Sequence, residues 1–186
     1  VVVCVIILIV AACRLKPGNG APQLPDLTAH NQAVALMGRF DFESAQTGFA
    51  RLRKTWPDHP DLAVNHAISI INRQHEGDEA LALGMLKQVL VTDPGNLRAR
   101  YCSGLLELYL GNLAPALDHF RSVLQIEKSD VGARYFEAKT LMQLSRYDEA
   151  RISFDRVLEI DPFLSSAYYG KIMTLRQLGE KTAALK

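Results

Sequence analysis

The sequence is poor in the side-chain arrangements that covalent, redox and metal chemistry need. Its three cysteines stand at 4, 13 and 102 with no CxxC pair, which excludes a disulfide framework and the sulfur-rich zinc sites built from closely spaced thiolates. Cys102 falls inside a helical stretch, where a small buried apolar residue is the expected role. The five histidines, at 30, 59, 66, 75 and 119, form no i, i+4 pair and no HExxH, so their spacing supplies no metal site. There is no GxSxG, no P-loop and no GxGxxG, and no segment alternates as a strand does. Cys102-Ser103-Gly104 lies mid-helix, without the strained elbow that exposes a nucleophile. Charge of one sign is missing as well: 21 Lys and Arg stand against 20 Asp and Glu, interspersed along the chain, so no basic face invites nucleic acid. These absences lead us to expect a protein that is not an enzyme and has no cofactor, metal or nucleic-acid partner.

What the sequence has instead is repetition. Leu97 to Leu164 falls into two blocks of 34 residues that overlay without a gap. Ala99-Arg100-Tyr101 lies over Ala133-Arg134-Tyr135, Ala116 over Ala150, Phe120 over Phe154, and Val123-Leu124 over Val157-Leu158. Self-similarity at a fixed period marks a repeat array, in which each unit buries its apolar face only against its neighbours. The period, with small residues at the eighth and twentieth places and an aromatic at the twenty-fourth, resembles the tetratricopeptide repeat. That resemblance implies an all-α fold: a solenoid of helix-turn-helix units, four full and one partial, wound into a right-handed superhelix.

The expected array spans residues 26–186, with repeats at about 26–59, 60–96, 97–130, 131–164 and a truncated 165–186. The first is the least regular, as a terminal repeat should be. It has helix A to Arg39, a turn at Phe40-Asp41-Phe42, and helix B from Glu43 to Trp56, which is expected to pack under the following loop. In the second repeat, helix A aligns to the third at an offset of 35 and helix B at 34. One extra residue must therefore sit between Asn72 and Asp78. Asp93-Pro94-Gly95-Asn96 stops helix B, since Pro lacks the N–H and Gly takes positive φ. In the regular pair, small Gly104 and Ala138 let helix A lie close to helix B, and Ala116 and Ala150 do the same from the other side. Ile172 occupies that small place in the fifth repeat, so packing there departs from the pattern. The sequence stops within helix B of this repeat, and the protein is expected to continue past Lys186.

Upstream, Val1 to Ala12 is an uncharged apolar run of twelve residues, which suits the h-region of a secretory signal better than a span of about twenty residues. Val10-Ala11-Ala12-Cys13 resembles a bacterial lipobox, which implies cleavage before Cys13 and acylation of its thiol. A diacylglycerol plus an amide-linked chain exceeds the two signals that stable anchoring needs. The resemblance places the protein in the bacterial cell envelope, membrane-anchored on the periplasmic or outer-membrane side. The alternative is a signal anchor, favoured by Arg14 and Lys16 directly after the run. Residues 13–25, rich in Pro and Gly, read as a flexible tether of on the order of 20 Å.

The strongest functional signal is a column. His66, Tyr101, Tyr135 and Tyr169 recur at the fifth place of successive helices A, and equivalent places align on one face of a stacked array. In the tetratricopeptide family that place, with the second, ninth, twelfth and thirteenth, faces the concave groove where partner peptides lie. Carried over, the groove holds His66, Arg98, Tyr101, Leu105 and Tyr109, then Tyr135, Lys139, Met142 and Gln143, then Tyr169, Met173 and Arg176. Tyrosine offers contact area at low entropy cost with a hydroxyl to spare; the alternative is that the column only packs helix A on helix A. Arg98, Lys139 and Arg176 suit an acidic or carboxylate-ended partner, although the Asn and Lys pattern of the chaperone-binding clamp is absent. The resemblance thus implies a membrane-tethered scaffold that binds a protein or peptide, similar in plan to lipoproteins of envelope or pilus assembly. The alternative is the N-terminal array of a longer chain whose further domain, an enzyme or an FG-GAP and ASPIC/UnbV type of propeller, carries the activity.

Overall fold

The computed structural model of the chain describes residues 27–179. The apolar N-terminal run, the lipobox with Cys13, the tether and residues 180–186 lie outside the described residues. Helices follow one another through the whole described range: α1 Leu27–Gly38, α2 Phe42–Thr55, α3 Pro60–Arg73, α4 Asp78–Thr92, α5 Leu97–Tyr109, α6 Leu113–Ile126, α7 Val131–Gln143, α8 Tyr147–Ile160 and α9 Ser165–Gln177. No strand occurs among the described residues. The described residues fall into two compact units divided between Leu106 and Glu107, a boundary that lies within α5. In the first unit α1 packs on α2, α2 on α3 and α3 on α4; in the second α6 packs on α7, α7 on α8, α8 on α9, and α7 also touches α9.

Each hairpin is closed by local chemistry legible in the residues. The turns at 39–41, 110–112 and 144–146 have three residues each, while that at 74–77 has four, which is the extra residue expected before Asp78. Every one of them bends through the left-handed region, at Phe40 (φ 62°), Gln74 (63°) and Gly77 (85°), Gly111 (81°) and Ser145 (58°). Gly takes this conformation freely, whereas a bulky side chain there costs about 1–2 kcal/mol. Phe40 sits there nonetheless, with its ring edge-on to Phe42 at 6.1 Å, a pair worth about 0.5–1.5 kcal/mol. Helix starts are capped: Asp41 accepts from the Ser44 N–H at 3.2 Å, Asn96 from Ala99 at 2.9 Å and Asp130 from Ala133 at 2.6 Å. Each satisfies one of the orphan donors of a first turn.

The core follows an i, i+4 pair repeated along helices B. Ala45 with Phe49, Ala82 with Leu86, Ala116 with Phe120 and Ala150 with Phe154 are all fully buried. The alanine lets the neighbouring helix approach and the large side chain one turn later fills the space so framed. In the second unit Phe120 stacks on Phe136 of the next helix A at 5.7 Å. One repeat later Phe154 meets Gly170 at the equivalent place, so closely that a Cβ there would lie 2.3 Å from Phe154 Cζ. The departure expected at half-buried Ile172 therefore has its counterpart at Gly170, two residues earlier, where the missing side chain makes room for a whole ring.

Candidate functional site

The residues assigned to a concave face by their place in the repeat fare very differently in the two units. In the first, they are enclosed and committed to other side chains. His66 on α3 is 8% exposed; Arg53 reaches its Nδ1 at 3.3 Å, and the Gln46 carboxamide lies 3.3 Å from its Nε2. Arginine can only donate, so Nδ1 accepts, the ring proton sits on Nε2, and the Gln46 amide must turn its oxygen to the ring. Burial, reinforced by the nearby charges of Arg53 and Arg73, pushes the His66 pKa down to about 4. A neutral imidazole thus knits α2 to α3.

Arg98, on α5, is 7% exposed and tied within the first unit: one NH donates to Asp61 at 2.8 Å and the other to Asn65 at 2.5 Å, while Asn65 Nδ2 lies 3.3 Å from His30 Nε2. Its partners are 37 and 33 residues away, about one repeat, so the guanidinium joins successive helices A. Tyr101 and Leu105 are buried as well.

In the second unit the same places open outward. Tyr109 is exposed. Tyr135, half-buried, leans edge-on against Phe136 at 5.2 Å and Phe154 at 6.1 Å and, with Met142, packs on the core of this unit while keeping part of its surface in solvent. Lys139 stretches over the Phe136 ring, its ammonium 6.0 Å from the centroid. Tyr169 is 67% exposed, Met173 is half-buried, and Arg176 and Gln143 are exposed. Since α7 touches α9, Tyr135, Lys139 and Met142 stand on one of two adjoining helices and Tyr169, Met173 and Arg176 on the other.

Several side chains that the repeat pattern contains, but does not explain, hold the framework. The Arg of the Ala-Arg-Tyr match is a staple: Arg100 donates to the Pro94 carbonyl at 2.8 Å and Arg134 to that of Lys128 at 2.9 Å, each pinning the loop that leads into its own helix. The identical spacing was the available signal. Asp78, buried, closes the longer turn by accepting from Arg73 at 2.6 and 3.2 Å and from the His75 N–H at 3.0 Å. Its burial opposes ionisation, yet these donors hold its carboxyl below the usual range. Glu137, also buried, accepts from Arg121 and Ser153 at 3.2 Å and from Arg134 at 3.4 Å. Trp56 is half-buried at the end of α2, its N–H bonded to the Leu52 carbonyl, and Cys102 is buried. Among the described residues no three His, Cys, Asp or Glu converge in a way that could hold a metal, and no helix is long and apolar enough to cross a membrane.

Helix hairpins of this length, stacked through small residues at fixed places and closed by left-handed turns, define a helical-repeat protein of the tetratricopeptide kind. Residues 107–174 match the family model described as tetratricopeptide repeat, so this stretch carries the repeat that the 34-residue overlay implied. The fold is similar to that of MamA. A crystal structure of MamA protein aligns over 84% of both chains with a TM-score of 0.74 at 16% identity. MamA, from residue 41 to its end, of Desulfovibrio magneticus RS-1 aligns over 84% of this chain and 87% of that one, with a TM-score of 0.77 at 16% identity. MamA AMB-1 aligns over 86% and 92%, with 0.75 at 17% identity. Likeness at this identity concerns the fold. No curated protein sequence matches the chain.

Proposed function

We propose that this protein is a non-enzymatic scaffold that binds a segment of a partner protein, and that the recognition surface is the face of α7 and α9 in the second unit. The observation that carries this reading is the exposure of Tyr169, with half-buried Met173 on the same helix and half-buried Met142 on the adjoining one, against the enclosure of His66, Tyr101 and Leu105 at the equivalent fifth and ninth places of the first unit. Half-open aromatic and thioether side chains on packed helices supply apolar area that is already positioned, so little order is lost on binding.

Peptides selected on the full chain from a random display library test the surface. Tyr169→Ala is expected to weaken the selected peptides by about 1–2 kcal/mol, roughly 5–30-fold in Kd, with an unchanged melting curve because so much of this side chain lies in solvent. Tyr135→Ala weakens them too, but lowers the melting temperature, since that ring also packs on Phe136 and Phe154. Selected peptides indifferent to Tyr169→Ala would show that the binding face lies elsewhere.

The reading extends to location. We place the array outside the cytoplasm, held to the membrane through a lipidated Cys13, in service of envelope or pilus assembly; the support is the Val10-Ala11-Ala12-Cys13 sequence. The protein expressed with its own N-terminal sequence is expected to show cleavage before Cys13, an added acyl mass and partition into membranes, all lost in Cys13→Ala. An unchanged mass and cleavage in that variant removes the lipid anchor and leaves the signal anchor.

A further inference from the structure

We infer that the partner segment is acidic: a stretch in which Asp or Glu is interleaved with bulky apolar side chains. This rests on the proposed recognition face and adds the chemistry of what occupies it.

Charge on the two helices is unevenly compensated. α7, VGARYFEAKTLMQ, carries two cations and a single carboxylate, Glu137; α9, SSAYYGKIMTLRQ, carries two cations and no carboxylate. Glu137 is buried and holds Arg134 at 3.4 Å and Arg121 at 3.2 Å. Lys171 is paired with Asp155 of α8 at 2.7 Å. Those contacts neutralise the cations turned toward the body of the unit. The two that remain, Lys139 and Arg176, form no ion pair among the described residues, and they occupy the ninth and twelfth places of their helices, on the same face as Tyr135, Met142, Tyr169 and Met173.

In the first unit, buried Arg98 and half-buried Arg73 each have a carboxylate close by. Arg98 has Asp61 at 2.8 Å and Arg73 has Asp78 at 2.6 Å. Among the described residues the open face therefore presents apolar area together with two positive charges that form no ion pair, and a basic segment laid on it would meet repulsion. Such complementarity governs which partner is accepted and how fast it arrives more than it governs total affinity. Met142 and Met173, with flexible thioether chains, accommodate differing apolar side chains between the charges.

The test is the composition and charge response of peptides selected on the full chain from a random display library. The selected pool is expected to be enriched in Asp and Glu next to bulky apolar residues. The double variant Lys139→Glu, Arg176→Glu should weaken these peptides by about tenfold or more at low salt, and raising the salt should shrink that difference. Lys139→Gln, Arg176→Gln should fall between, and all variants should keep the wild-type helicity with at most a small drop in melting temperature, since Arg176 is exposed and half-buried Lys139 gives up only its contact with the Phe136 ring. A pool without acidic enrichment, or one that ignores the charge reversal while still responding to Tyr169→Ala, overturns the acidic partner and leaves the recognition face standing. A pool that ignores both substitutions overturns the face as well.

Discussion

Gly170→Ala loses stability, by about 1–3 kcal/mol, although alanine is the better helix former and would gain roughly 1 kcal/mol in an open helix. The added methyl would stand 2.3 Å from Phe154 Cζ and 2.5 Å from Cε1. The ring cannot swing aside, for Phe154 is fully buried and Tyr135 closes on it at 6.1 Å. Either α9 must lift from α8 or the ring must leave its rotamer. Phe154→Ala alone costs about 3–5 kcal/mol through lost burial and the cavity left behind. The two changes are not additive: with the ring gone, the extra methyl enters space that it vacates, and Gly170→Ala becomes neutral or stabilising. A double-mutant cycle by urea unfolding measures that coupling. Equal costs of Gly170→Ala in both backgrounds would show that the close approach of ring to backbone is not what the glycine serves.

His66 makes the first unit lose stability as the pH falls below neutral. Its folded-state pKa is pushed from 6.5 to about 4 by burial and by Arg53 and Arg73. Between those values the unfolded chain binds a proton that the folded chain refuses. Stability is therefore full above pH 6.5, falls as the pH drops toward 4, and changes no further on this account below it. The upper limit of the effect is about 3 kcal/mol, at roughly 1.4 kcal/mol for each pH unit between the unfolded and folded values. Asp78, whose carboxyl is held low by Arg73 and the His75 N–H, adds a loss only at still lower pH, as the pH falls through its folded-state value. Urea unfolding at pH 7 and at pH 4.5 separates the two: the wild type should lose more between these points than His66→Gln, which has no proton to take up. Identical losses in the two proteins would mean that His66 is as protonated in the fold as out of it.

Much of this architecture can be read in the residues, because helical repeats are local. The 34-residue overlay, the small residues before each core aromatic and the Asp-Pro and Gly-Asn punctuation act within one hairpin or between neighbours, and each leaves a mark at a fixed spacing. The longer turn before Asp78 is visible as a one-residue slip between helix A and helix B. Gly170 does not stand out in the same way, since the alignment marks the eighth place as small and the intrusion occurs at the sixth. Which ring lies over which backbone depends on the tilt of two packed helices, and the repeat register carries no record of that.

The sequence also defines the set of places from which the proposed recognition face is drawn, but makes them equivalent. His66, Tyr101, Tyr135 and Tyr169 share one place and end up in four environments, from an enclosed imidazole between Arg53 and Gln46 to a ring that is 67% exposed. Likewise the repeat pattern offers Arg98, Lys139 and Arg176 alike as cations of one face; only the fold gives the first Asp61 and Asn65 as partners, while the other two form no ion pair among the described residues. Period alone determined the helices, their pairing and their shared faces, because those follow from hydrophobic spacing along the chain. Exposure and charge compensation were decided by tertiary structure, because they depend on what arrives from about one repeat away, and that partner differs at every turn of the array.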